Sequence, residues 1–272
     1  MPRGAKCGKL ASNAVYGSML SLLKVVISPA DSRSQRNMRA AFTLVELLSV
    51  LAIIAILTVL TIPAMIALKT SGDITKAAND ISGALEEARA YAIANNTYTW
   101  AGFYEDSGSQ SGTPGVGQII LAVVASADGT VIYNPSSPGP LNPGQLLQVA
   151  QLLKINNMPL ATFPDGSGGG TTFATRPAIG SNEARIGATS PTQGSLTTFP
   201  YPLAGAAQFT FTKAIQFSPR GEARVDNDTY SIQPNVEIGL QDTHGAMVDT
   251  NSKNLVAIQV AGIGGNVTIY RQ

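Results

Sequence analysis

Cysteine, histidine and tryptophan occur once each in 272 residues. The cysteine is Cys7, so everything after it must fold without a disulfide and without a thiolate-ligated metal. A lone imidazole, His244, excludes any metal centre that needs two histidines, and a Ser-His-Asp triad would have to use it. Followed by Gly245 in a polar stretch, it reads as a turn residue. Charge is scarce too. Asp, Glu, Lys and Arg make up 13% of the chain against 44% hydrophobic residues, with a mean hydropathy of +0.13. That excludes a disordered, highly charged chain. A net charge of +1 also argues against a nucleic-acid binder. Arg220, Arg224 and Arg271 are the only cations that come near one another in strand order, and Glu222 and Asp226 oppose them, so nucleic acid is not an expected partner.

The near-neutral total hides a division. Arg3, Lys6, Lys9, Lys24, Arg33, Arg36 and Arg39 outweigh Asp31 to give +6 before residue 42, and the remainder carries −5. Just past this boundary, Leu47–Leu68 runs for 22 residues without a charge. At about 1.5 Å per residue such a helix spans the roughly 30 Å hydrocarbon core of a bilayer. A buried core helix would usually be shorter and carry a polar face. The basic flank then stays cytoplasmic and the body crosses. The head is not a cleavable secretory signal, because Asn13, Ser18 and Lys24 interrupt its apolar stretch and no small-x-small site follows. Cys7 precedes any apolar run, which excludes lipoprotein acylation; the head is a long basic leader, or Met38 is the true start.

Two residues in the apolar stretch need explaining. Glu46 sits close to the start of the run, where an ionised carboxylate costs up to about 3 kcal/mol, less near the interface. It either snorkels to the headgroups or meets a cation. No Lys or Arg follows until Lys69, about 34 Å along the helix axis, so a cation must come from elsewhere. A chain cut before Phe42 would offer an α-amino group, on a neighbouring copy. Pro63 lacks an N–H, and its ring clashes with the Val59 carbonyl, which predicts a bend or local melting.

The stretch Arg39-Ala-Ala41-Phe42-Thr-Leu-Val-Glu46-Leu-Leu-Ser-Val-Leu-Ala-Ile-Ile-Ala-Ile-Leu resembles the cleavage and methylation segment of type IV prepilins and type II secretion pseudopilins. The resemblance covers about 25 residues but combines a basic flank, a small residue, Phe, a spaced acid and a spanning helix. It implies cleavage between Ala41 and Phe42 by a prepilin peptidase, N-methylation of Phe42, and Glu46 as the carboxylate that meets a neighbour's N-terminus in a filament. Pro63 falls where that family often places a kinking proline. Ala41 departs from the family's usual Gly; as the next smallest side chain it should still be cut, at a lower rate. The Phe217-Ser-Pro-Arg-Gly221 turn and the Val267-Thr-Ile-Tyr-Arg271 ending resemble minor pseudopilins of the H (FimT-like) kind. The layout is also similar to the Verru_Chthon cassette protein D group.

Beyond Lys69 the pattern becomes amphipathic. Ile74, Ala77, Ala78, Ile81, Leu85, Ala88 and Ala92 recur at helical spacing, and Asn95-Asn96 ends the helix. From Phe42 this is one helix of roughly 80 Å. Its apolar stripe predicts a sheet packed on it. Strands are expected at Tyr98–Tyr104, Gln118–Ala125, Thr130–Tyr133, Gln208–Thr212, Ala214–Ser218, Ala223–Val225, Tyr230–Ile238, Leu255–Val260 and Asn266–Arg271. Asp128-Gly129 and Gly264-Gly265 are the expected hairpin turns. Eleven of the sixteen prolines lie between Ser107 and Gly205, marking a loop-rich region with one short helix at about Gln145–Ile155. The expected fold is α+β, a long N-terminal transmembrane-plus-amphipathic helix packed on an antiparallel β-sheet domain. Its parts are a leader over 1–41, a membrane helix over 42–68, the amphipathic continuation over 69–96, and an extracytoplasmic β-rich domain over 97–272.

No catalytic constellation emerges. Glu86 and Glu87 are adjacent and point to different parts of the helix surface, the pattern of a solvated face. Gly166–Gly170 is not followed by Gly-Lys-Ser/Thr and opens no helix, so it is a flexible loop and not a phosphate cradle. Asp226 and Asp228 could offer oxygens to Ca²⁺, but no closing bidentate acid follows at set spacing, and a turn is the better reading. Asn95, Asn227 and Asn266 head N-x-Thr triplets, which chance supplies often. The expectation is a non-enzymatic assembly subunit without a cofactor. Its partners are the prepilin peptidase, other pilin or pseudopilin subunits and the inner membrane. A tip or surface subunit that binds a secreted substrate through the 107–205 region is the alternative, and a membrane-tethered enzyme the remoter one.

Overall fold

Thr43 opens the helix. Its hydroxyl accepts the Glu46 amide at 3.2 Å and its carbonyl accepts that of Leu47 at 3.1 Å, so Thr43 caps donors that a helix start otherwise leaves open. The computed structural model describes residues 42–107, 110–132, 139–166, 168, 172–180, 182–187, 198–225, 232–244, 247–248 and 252–272. Within it the helix runs Leu44–Ala94. The chain divides into two units, Met1–Ile53 and Ile54–Gln272. Helix continues through Pro63, so the local melting expected there does not occur. A proline removes a single N–H, and the ladder on either side of it is retained.

In the second unit the amphipathic stripe is the buried one. Ile74, Ala77, Ala78, Ile81, Leu85, Ala88 and Ala92 all lie in the core, joined by Ala84. The alternation of Ala with Ile and Leu lets the helix backbone approach the sheets closely while the branched residues fill the gaps. The helix stops at Asn95-Asn96. Asn96 takes a left-handed φ of 50°, its amide meets the Ile93 carbonyl at 3.4 Å, and the Thr97 amide returns to the Ala92 carbonyl at 3.0 Å. This is a Schellman cap with Asn in the place usually held by Gly.

Two sheets follow. The first has the order 223–225, 213–217, 99–107, 117–126, 146–148, with 110–114 added to 99–107 and 153–156 added to 117–126. Thr99–Ser107 lies antiparallel to Gly117–Ser126, from Thr99 opposite Ala125 to Ser107 opposite Gly117. The second has the order 267–271, 255–261, 235–241, 160–161, all antiparallel, and Arg185–Ile186 joins Asn235–Gln241 in parallel. One core takes the helix stripe together with Ala101, Phe103, Ile119, Leu121 and Val123 of the first sheet and Val236, Ile238, Leu240, Val256, Ile258 and Val260 of the second.

The alternate residues of the first sheet build a second core on its other face. Trp100, Ile120, Ala122 and Val124 pack with Leu141, Leu146, Phe199, Phe209, Phe211 and Ala214. The continuous apolar run from Ile119 to Ala125 is therefore a strand buried on both faces. Gly102 permits the close approach, since a Cβ there would lie 2.9 Å from the Phe211 Cβ. From the Pro-rich region expected to be loops, the Phe199–Tyr201 strand joins this outer layer, pairing antiparallel with Phe209–Phe211, which falls within the strand expected at Gln208–Thr212.

Three local expectations fail. The short helix at Gln145–Ile155 is absent. Asn142 instead caps a 3-10 turn over Pro143–Gln145, accepting the Gly144 amide at 3.0 Å, and Leu146–Gln148 and Leu153–Asn156 pair with the edge of Gly117–Ser126. The apolar spacing that looked helical belongs to two short edge strands. Asp128-Gly129 does turn the chain, with Gly129 at φ 78°, but Thr130, Val131 and Ile132 form no returning strand. Asp128 draws its oxygen bonds locally, from the Ser126 hydroxyl and the Thr130 amide and hydroxyl, so the chain leaves the sheet there. The strand expected at Tyr230–Ile238 is Asn235–Gln241, held in place by seven register partners from Leu255–Ala261. The Gly264-Gly265 turn does join its two strands, with Gly265 at φ 65°.

Candidate functional site

Glu46 lies in the first turn of the helix, where the partial positive charge of the N-terminus favours a carboxylate. Its backbone is fully engaged: the amide donates to Thr43 and the carbonyl accepts the Ser49 hydroxyl at 2.8 Å. Further along, the Thr58 hydroxyl donates to the Ile54 carbonyl at 2.7 Å and the Thr61 hydroxyl to the Thr58 carbonyl at 3.1 Å. Each hydroxyl in this apolar stretch thus satisfies itself within the helix, which is what a medium without hydrogen-bonding solvent requires.

Around these few polar groups the surface is apolar on every side. Twelve residues from Phe42 to Val59 expose between 44% and 74% of their surface: Phe42, Leu44, Val45, Leu47, Leu48, Val50, Leu51, Ile53, Ile54, Ile56, Leu57 and Val59. A helix hydrophobic all round is not built for water. Among the described residues no helix is long and apolar enough to cross a membrane. Described side chains continue unbroken only as far as Val59, and Pro63 lies in a stretch whose side chains are outside them. Ala41, on the amino side of the predicted cut, also lies outside the described residues, whereas Phe42 is described and 74% exposed.

The body holds no metal centre among the described residues: no three of His, Cys, Asp and Glu converge. Asp226 and Asp228 lie outside the described residues. Glu86 is not merely solvated, since its carboxylate accepts the Val267 amide at 3.3 Å and faces Arg89 at 3.5 Å. With Arg271 donating to the Thr75 hydroxyl at 2.8 Å, it ties the helix to the edge strand Val267–Arg271. The Phe217–Gly221 turn is a compact hairpin bend. The Ser218 hydroxyl accepts the amides of Arg220 and Glu222, both at 3.2 Å, and Gly221 sits at φ 80°.

Sequence reasoning missed a buried ionic cluster behind the second sheet. Arg176 and Glu237 meet at 2.7 Å with side chains only 2% exposed, and the Gln259 amide donates to the same carboxylate at 2.9 Å. Arg185 lies 3.7 Å from Glu237 and bonds Asp165. Arg176 also covers the Phe173 ring at 4.1 Å and donates to the carbonyls of Phe173 and Pro164. The Ile179 amide, then the Arg185 guanidinium, hold the Asp165 carboxyl below the usual carboxylate range. Glu237 alternates with Val236 and Ile238, so the strand pattern alone would send it to solvent; instead it is buried against Arg176, Arg185 and Gln259. The cluster ties Asp165, Arg176 and Arg185 to the second sheet through Glu237.

Residues 36–62 match the family model for the prokaryotic N-terminal methylation motif. No curated protein and no solved structure matches the chain. The matched segment covers the Ala41–Phe42 junction, Thr43, Glu46 and most of the exposed apolar helix. It supports a type IV prepilin-like protein, and implies processing by a prepilin peptidase and assembly with other pilin subunits.

Proposed function

We propose that this chain is a structural subunit of a type IV pilus or a type II secretion pseudopilus. A prepilin peptidase cuts it after Ala41 and methylates Phe42, and the subunit assembles through its N-terminal helix. The reading is carried by one coincidence: the methylation motif at 36–62 falls on a helix whose apolar side chains are exposed on all sides. Before assembly that helix crosses the inner membrane once, leader in the cytoplasm and body outside.

The chemistry follows from the first turn. Cleavage creates an α-amino group at Phe42, the only new cation at that depth. Glu46 stands in the same turn, its backbone amide capped by Thr43. In a low-dielectric surround a carboxylate and an ammonium a few ångströms apart attract by several kcal/mol. An amine on a neighbouring copy therefore neutralises Glu46 while the helices pack. Between lipid and a helix bundle little hydrophobic gain is available, so packing and this pairing provide the direction. The acidic body, free of the basic leader, lies outside the membrane. The Phe217-Ser-Pro-Arg-Gly221 and Val267-Thr-Ile-Tyr-Arg271 sequences support a reading near the minor pseudopilins of the H kind, and the overall layout one near the Verru_Chthon cassette D group.

The test is intact mass and N-terminal sequencing from a host that has the peptidase. The expected product begins with N-methyl-Phe42. A stable chain that retains Ala41 refutes the processing step.

A further inference from the structure

We draw no further inference here: the strongest candidate, the open groove of about 620 Å³ between the helix around Gly83 and the Val149–Leu153 edge of the first sheet, is an unpartnered surface, and nothing in the structure shows what covers it.

Discussion

Removing residues 1–69 should turn a membrane-bound protein into a soluble one without unfolding it. Among the described side chains the first helical one in the core is Ile74, the first tie from the helix to the edge strand is at Thr75, and none before them is buried. A chain beginning at Thr70 keeps Ser71 as a capping residue and Asp73 in the first turn, both favourable at a new helix start. What it loses is the exposed apolar surface. On an insertion scale, Leu, Ile, Phe and Val each contribute about −0.3 to −0.6 kcal/mol at mid-membrane, so the twelve exposed side chains amount to roughly −5 kcal/mol. Glu46 opposes this by less than about 3 kcal/mol, because it lies near one end. The balance favours the bilayer for the full chain and water for the shortened one. The assay is membrane fractionation with alkaline extraction, together with circular dichroism and a denaturant melt of the soluble product. A full chain released by alkali, or a shortened chain without a cooperative transition, refutes the reasoning.

Glu46→Ala should leave membrane insertion and cleavage intact but abolish incorporation into filaments, measured by shearing and by cross-linking between copies; normal incorporation removes the role given to the carboxylate. Gly83→Ala should raise stability by about 1 kcal/mol, since it lies within the helix with nothing within 4 Å of a Cβ. Gly265→Ala should cost more than about 1 kcal/mol, because φ is 65° and the added Cβ would strike the Gly221 carbonyl and Arg89; equal denaturation midpoints for the two variants refute both packing accounts. Asp165 has a folded-state pKa below its unfolded value, so its contribution is complete above the ordinary carboxylate range near pH 4 and is lost as pH falls through the lowered value. The stability gap between the native chain and Asp165→Asn should therefore narrow between pH 7 and pH 3 in urea titrations. An unchanged gap shows that the carboxylate's charge is not what matters.

What the sequence reveals is what repeats at short range. The stripe from Ile74 to Ala92 is legible because every partner it needs lies three or four residues away, and the Asn95-Asn96 stop because a left-handed cap favours Asn or Gly. Ala223–Val225 and the Gly264-Gly265 hairpin are legible for the same reason. The second core escapes, since nothing in Phe199 or Phe211 says that Trp100 waits a hundred residues earlier. So does the ionic cluster: Arg176 and Glu237 are 61 residues apart, and each read alone is a surface charge. At the candidate site the balance reverses. Ala41, Phe42, Glu46 and the apolar run are contiguous, and a processing signal must be readable as extended sequence before any fold exists. The structure adds the Thr43 cap and the self-satisfied hydroxyls.

The first sheet carries a separate core on each face, and neighbouring residues of one strand report to different layers. Phe103 answers to the helix, while Trp100 answers to the Phe199 and Phe211 strands. Substitutions in the two layers should therefore combine nearly additively, with coupling confined to changes that move the strand itself. A lineage could rebuild the outer layer, in length as well as composition, without renegotiating the contacts that hold the helix. The part seen by the outside world would then be free to diversify while the anchorage stays constant.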